Sequence, residues 1–237
     1  MKSASFLKPK IIAIVPAAGI GKRMLSNVPK QYIKIKNQTI LEYTLTTLLS
    51  NPNIINVIVS LNRNDNYFFN LSISSNVRII SVIGGKERIN SVLSGLSLQI
   101  DADWVIVHDA VRPCLSRQDL NKIILITRRS KVGGILVQPI HDTIKYGDVK
   151  KERILKTVDR KNLWHALTPQ IFPLNLLRFC LNKVIKDKIV ITDESSALEY
   201  CGYRPLMVLG SSQNIKITCF EDLFFAEFYL TKSNRIK

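Results

Sequence analysis

The chain has 237 residues, 46% of them hydrophobic, and its 34 Lys and Arg against 18 Asp and Glu give a formal net charge of +16. That length allows one large domain or two small ones, and a single domain of this size buries roughly 70–75% of its unfolded surface, so it needs neither disulfides nor a metal to hold it. The composition excludes a disordered chain, and no apolar run nears the ~20 residues of a membrane span.

Ile11-Ile12-Ala13-Ile14-Val15 is a continuous apolar run, as in a strand buried on both faces. Lys8 and Lys10 before it mimic a signal peptide. The run of five falls short of the roughly 7–15 residues such a core needs, so a cytoplasmic chain is expected. Cys114, Cys180, Cys201 and Cys219 stand far apart without a C-x-x-C pair, as reduced thiols do. A polar loop then runs to Lys30. Thr39 and Glu42 form a capping-box signature for a helix over 40–49. Residues 54–61, 77–83 and 103–108 read as strands, with a helix over 88–99. Ser116 and Asp119 cap a helix to about Arg129, and Gly133-Gly134 leads into a strand at 135–138. This β-α-β-α-β order predicts an α/β, Rossmann-like, mostly parallel sheet flanked by helices on both faces.

Residues 141–161 break the rhythm. They are basic and turn-rich with short alternating stretches, and they predict a β-hairpin arm projecting from the sheet. A helix follows Pro173 and another starts at Thr192-Asp193-Glu194. Strands are expected near 205–209 and 214–217, and a last helix at 221–231. Asp193-Glu194 suits an acidic helix start better than a second metal site. No internal repeat appears, so residues 1–237 read as a single domain. The basic residues are scattered, and no nucleic-acid-binding module or basic, aromatic-interleaved face is visible. Much of the excess charge therefore reads as compositional drift in a Lys/Asn/Ile-rich chain. Trp104 and Trp164 read as packing residues.

Val15-Pro16-Ala17-Ala18-Gly19-Ile20-Gly21-Lys22-Arg23-Met24 leaves the first strand. Small residues let a backbone approach a ligand, glycines reach positive φ, and successive N–H groups can form an anion-binding nest. Lys22, Arg23 and Lys30 add positive charge. A phosphate held there would take charge-assisted hydrogen bonds of roughly 1.5–3 kcal/mol each. The stretch lacks the GxxxxGK[ST] of a Walker A loop. Nor is it a dinucleotide fingerprint, since Met24 stands where a third glycine or alanine belongs. On its residues alone it reads either as a phosphate loop or as an ordinary strand-end turn.

Pro16-Ala17-Ala18-Gly19-x-Gly21-x-Arg23-Met24, followed by Pro29-Lys30-Gln31-Tyr32, resembles the opening signature of nucleotidyltransferases that activate sugar or polyol phosphates. The Pro-Lys-Gln-Tyr continuation points to the 2-C-methyl-D-erythritol 4-phosphate cytidylyltransferase family of the non-mevalonate isoprenoid pathway. Further matches follow in order: Gly84-Gly85 with Glu87-Arg88 and Ser91-Val92; His108-Asp109-Ala110-x-Arg112-Pro113; Asp142-Thr143; Thr157-Val158-Asp159-Arg160; Trp164-x-x-x-Thr168-Pro169-Gln170; Thr192-Asp193-Glu194; and Asn214-Ile215-Lys216-Ile217-Thr218.

The resemblance implies a nucleotide-diphospho-sugar transferase fold and attack of a substrate phosphate on the α-phosphate of CTP, expelling pyrophosphate. Such a reaction needs cations and backbone donors rather than a nucleophilic side chain. Arg23 and Lys30 would stabilise charge in the transition state. Pro16, Ala17, Ala18, Gly19, Gly21, Lys22, Asp109 and Ala110 would bind the nucleotide, with Gly84, Gly85, Lys86 and Ser91 toward the cytosine. Asp109, Arg112, Thr143, Arg160, Thr168 and Lys216 would hold the methylerythritol phosphate. Asp109 is open between a direct Mg²⁺ contact and hydrogen bonds to substrate hydroxyls, with the ion otherwise on the CTP phosphates. The arm would embrace a second subunit and contribute to its site, making a homodimer. Lys86 departs from the family, where an acidic residue is usual, and Val111 replaces a small alanine. A sister enzyme using ribitol 5-phosphate, a basic nucleic-acid-binding protein and a non-catalytic relative are the alternative readings.

Overall fold

The structure, a computed structural model, describes residues 8–19 and 28–235. Its elements are β1 (Ile11–Pro16), a small hairpin of β2 (Lys34–Ile35) and β3 (Gln38–Thr39), α1 (Ile40–Leu49), β4 (Ile54–Leu61), β5 (Ile79–Ile83) and α2 (Arg88–Leu96). Then come β6 (Trp104–Val107), α3 (Arg117–Ile124), β7 (Gly134–Pro139), β8 (Ile144–Asp148), β9 (Arg153–Val158) and β10 (Trp164–Pro173). The chain ends with α4 (Leu174–Lys186), α5 (Glu194–Tyr200), β11 (Leu206–Leu209) and α6 (Glu221–Lys232).

Seven strands form one sheet in the order β11-β7-β10-β6-β1-β4-β5. β1 pairs in parallel with β4 and β6, β4 with β5, and β11 with β7. The unbroken apolar run of β1 is explained by its central place. Ile11, Ala13 and Val15 face a core shared with Leu41, Leu45 and Leu48 of α1 and Leu120 and Ile123 of α3. Ile12 and Ile14 face the opposite core, with Val92 and Leu96 of α2, Leu177 and Leu181 of α4, and Leu198 of α5. The mostly parallel sheet with helices on both faces is the architecture expected from the strand–helix alternation.

Local signals hold where they were strongest. Thr39 and Glu42 form the reciprocal capping box that starts α1, and Ser116 accepts from the Asp119 amide at the start of α3. α3 is shorter than expected, because residues Leu125–Arg128 tighten into a 3₁₀ turn. Gly133 has φ +105°, and a Cβ there would sit 2.2 Å from the Ile171 carbonyl oxygen, so only glycine fits the turn into β7. The expected arm is the β8–β9 hairpin, a separate two-stranded sheet whose turn places Glu152 at φ 50°.

Two readings need correction. Residues 164–173 carry β10, a strand that the pattern did not suggest. It is antiparallel to both β6 and β7 and breaks register between Ala166 and Gln170. Its prolines conceal it: Pro169, after a cis peptide bond, falls in that irregular stretch, where no ladder N–H is required. Conversely, residues 214–217 form no strand. They are pinned singly, with the Ile217 amide donating to the Val111 carbonyl at 2.9 Å and Arg112 Nη1 donating to the Asn214 carbonyl at 2.7 Å.

Candidate active site

In a parallel sheet the strand carboxyl ends leave backbone groups and loop residues facing one crevice. Here β1, β4, β5 and β6 all end at such a crevice. β1 delivers Pro16, Ala17, Ala18 and Gly19; the loop after β5 delivers Gly85 and Lys86; β6 is followed by Asp109 and Ala110. Lys30, Ser91 and Lys216 complete this wall, which therefore gathers most of the residues singled out from the sequence. Gly21, Lys22 and Arg23 lie outside the described residues.

The glycine loop is held in place by side chains. Gln31 Nε2 donates to the Ala17 carbonyl at 2.7 Å and to Gly19 at 3.2 Å, and Asn62 Nδ2 donates to Ala18 at 3.3 Å. Gln31 is 3% exposed, so these bonds are sheltered from water. On the facing side, the Gly84 amide donates to the Leu61 carbonyl at 2.7 Å, and the Gly85 amide donates to Ser91 Oγ at 3.2 Å. A Cβ on Gly84 would meet Ala18 Cβ and Ser91 Oγ at 2.8 Å. Gly84 is therefore packed against Ala18 and Ser91 behind the wall, and Gly85 with Pro16–Gly19 lines the cleft itself. Lys30 reaches over the floor, its Nζ donating to the Ile217 carbonyl at 3.2 Å.

Asp109 is the electrostatic centre. Lys216 Nζ lies 3.0 Å and Arg112 Nε 3.3 Å from its Oδ2, while Arg88 Nε and Nη2 lie 3.2 Å from its Oδ1. Burial alone would raise the pKa of this carboxyl. The cations of Arg88, Lys216 and Arg112 outweigh burial and hold it well below the usual carboxylate range. Asp109 is therefore ionised at neutral pH, and of the cations around it Arg88 and Lys216 border the cleft. Behind it, the Asp109 amide donates to Thr168 Oγ1 at 3.1 Å, and Thr168 Oγ1 lies 2.9 Å from His108 Nδ1. His108 is fully buried, and burial pushes its pKa down to about 4, so the ring is neutral.

Thr168 and Arg112 are thus buried supports of Asp109 rather than parts of the cleft surface. Thr143 and Arg160 are exposed at the base of the arm, apart from this cleft in the same chain, with Arg160 Nη1 donating to the His141 carbonyl. Val111 packs with Ile217 and Leu230 and also borders the cleft. Trp104 packs on the core, while Trp164 is 39% exposed. Gln31, Arg88 and Glu194 are the site residues that sequence reading gave no role. Gln31 and Arg88 sit inside quoted motifs. Glu194 looked like helix-cap chemistry, but Asp193 is the cap and Glu194 turns inward to Arg88.

Among the described residues no three His, Cys, Asp or Glu side chains form a group able to hold a metal. Both oxygens of Asp109 already carry cations, so the site does not fit a resident Mg²⁺ on that carboxylate. A larger cavity of about 490 Å³ lies elsewhere, bordered by Tyr43, Cys114 and Arg235, but it gathers no comparable charge. No helix of the described residues is long and apolar enough to cross a membrane.

Comparison with known families matches residues 11–232 to 2-C-methyl-D-erythritol 4-phosphate cytidylyltransferase. The enzyme of that name from Buchnera aphidicola subsp. Schizaphis graminum is 67% identical over 97% of this chain and 98% of its own length. That of Yersinia pseudotuberculosis is 51% identical over 94% of this chain and 93% of its own. The crystal structure of the Francisella tularensis enzyme superimposes with a TM-score of 0.79 at 36% identity, covering 93% of this chain and 100% of that one. Whole-length likeness at this identity, on the sheet that builds this cationic cleft, places the chain in the family of 2-C-methyl-D-erythritol 4-phosphate cytidylyltransferases.

Proposed function

We propose that the cleft binds CTP between the glycine loop and the Gly84-Gly85 wall and joins its cytidylyl group to 2-C-methyl-D-erythritol 4-phosphate. A phosphate oxygen of the acceptor attacks the α-phosphorus, the bond from that phosphorus to the bridging oxygen breaks, and pyrophosphate leaves. The products are 4-diphosphocytidyl-2-C-methyl-D-erythritol and pyrophosphate, made for isoprenoid precursor synthesis by the non-mevalonate route. The observation that carries this reading is the cationic cleft, where Lys30, Arg88 and Lys216 gather around Asp109 beside the backbone of Pro16–Gly19 and Gly85.

Each element has a task that its chemistry suits. Gly84 and Gly85 present main chain to the pyrimidine edge, and the contacts at Gly84 leave no room for a side chain there, which would displace Ala18 and Ser91. Lys30 and Arg23 spread positive charge over the α-phosphate and the departing pyrophosphate. Lys216 and the ionised Asp109 face the acceptor: Lys216 turns from Asp109 Oδ2 to the phosphate, and the site it leaves accepts from the hydroxyls. Mg²⁺ enters as the complex with CTP, carried by the triphosphate and not by a protein cage. The expected outcome is no saturable Mg²⁺ binding by calorimetry to the free chain, and turnover that requires added divalent ion.

Thr143 and Arg160 are proposed to act on the neighbouring copy of a homodimer. Three features support this: their distance from the cleft, the projection of the arm, and exposed apolar side chains on it, including Tyr146 at 58% and Ile154 at 66%. The test of the whole reading is pyrophosphate release with CTP and Mg²⁺, comparing methylerythritol 4-phosphate with ribitol 5-phosphate. Release with the former alone is expected. Release with ribitol 5-phosphate alone would overturn the acceptor assignment, and silence with both would overturn the reaction.

A further inference from the structure

Arg88 serves two carboxylates at once. Its Nη1 lies 2.5 Å from Glu194 Oε1, while its Nε and Nη2 lie 3.2 Å from Asp109 Oδ1. The guanidinium is planar and rigid, so fixing one end fixes the direction from which the other end meets its partner. The two carboxylates have different settings. Asp109 borders the cleft; Glu194 stands in the first turn of α5, its side chain 1% exposed, and borders no part of the cleft.

Glu194 is a costly residue at that position. Its Oε2 has no hydrogen-bond partner, and burial raises its pKa against the pull of Arg88. A buried carboxylate with an orphaned oxygen stabilises a fold weakly at best, and an apolar side chain of similar size would pack α5 with less penalty. α5 already has its own cap in Asp193, which accepts from the Ser196 amide at 3.0 Å. Neither packing nor capping therefore accounts for a charge at this site. What the charge does is hold Arg88. Arg88 side chain is 30% exposed at the cleft, among anionic ligands that would draw an untethered guanidinium away from Asp109.

We propose that Glu194 is a positioning residue, which through Arg88 fixes the carboxylate of Asp109 in the orientation that meets the acceptor's hydroxyls and withholds Arg88 from the substrate phosphates. The inference rests on the reading of the cleft given under Proposed function. Glu194→Gln keeps size and removes charge; Arg88→Lys keeps charge but cannot span both carboxylates. Pyrophosphate release is measured with CTP and methylerythritol 4-phosphate varied in turn. In each variant kcat/KM for the acceptor should fall about tenfold, the scale seen when a group that orients a ligand is lost. KM for CTP in Glu194→Gln should not rise, since the base wall and Lys30 are untouched and a guanidinium freed from Glu194 adds positive charge beside the triphosphate. The thermal midpoint of Glu194→Gln should remain close to that of the wild type.

The deciding comparison is Glu194→Gln added to Asp109→Asn. Action through Asp109 means no further loss of acceptor kcat/KM in the double variant. Multiplying losses, an unaltered acceptor kcat/KM in Glu194→Gln, or a loss that tracks the thermal midpoint would overturn the inference. Should Glu194→Gln fail to fold, Arg88→Lys on the Asp109→Asn background makes the same comparison. Wild-type silence with this acceptor would strike the underlying reading and this inference with it; an active wild type with an unaffected Glu194→Gln would strike this inference alone.

Discussion

Lys30 and His108 show how differently two basic residues serve one site. Lys30 lines the cleft, and the proposed role of its charge is to meet the negative charge that develops on the α-phosphate and pyrophosphate. Lys30→Ala is expected to lose roughly 10²–10³ in kcat, the scale of removing one transition-state donor. Near-wild-type turnover in a pyrophosphate-release assay would remove it from the mechanism. His108 acts as a neutral, buried strut, its ring between Thr168 Oγ1 and the Arg112 carbonyl. Its pKa falls from 6.5 to about 4 on folding. Between those values the unfolded chain holds a proton that the native chain refuses, so stability falls as pH drops through that window. The loss approaches roughly 3 kcal/mol by the lower end. The Glu194 carboxyl, raised by burial, acts in the opposite sense as pH falls toward its unfolded value. The His108 share is therefore read as the difference between wild type and His108→Gln in urea unfolding from pH 7 to pH 4, and parallel curves would show the window to be wrong.

Individual elements owe their positions to a few local devices of unequal strength. The Thr39–Glu42 capping box satisfies orphan amides at one helix end, and Thr39→Ala is expected to cost about 1 kcal/mol. Gly133 matters more. Its φ of +105° and the Ile171 carbonyl 2.2 Å from any added Cβ oppose every side chain. Gly133→Ala should therefore destabilise the chain by more than about 2 kcal/mol, because β7 and β10 would have to part. Urea midpoints of the two variants test the ranking, and an equal cost would refute the close packing at the start of β7. The capping box was legible in sequence because it is local. β10 was not, because its pairing with β6 and β7 comes from strands far away in the chain and its own pattern is interrupted by Pro169.

At the scale of the whole molecule, the proposed homodimer would have each copy complete the other's site. If Arg160 acts on the neighbouring subunit, Lys30→Ala and Arg160→Ala chains are each nearly inactive alone. Mixed and reassociated in equal amounts, half of the dimers would be hybrid, each with one intact site. Activity should recover to about a quarter of wild type by this symmetry. No recovery in a verified hybrid would mean that Arg160 acts within its own chain.

Sequence alone determined the central strand, its helical flanks, the arm and most of the cleft-lining residues. Apolar periodicity, caps and turn glycines are properties of neighbouring residues, and the family's motifs keep their spacing along the chain. Tertiary structure alone decided that Thr168 and Arg112 stand behind Asp109, that Gln31 locks the glycine loop, and that Arg88 joins Asp109 to Glu194. These are contacts between residues up to 106 positions apart. Burial and the number of cations around a carboxylate depend on which distant segments the sheet order brings together. No local pattern encodes those quantities, and they set the charge of the site.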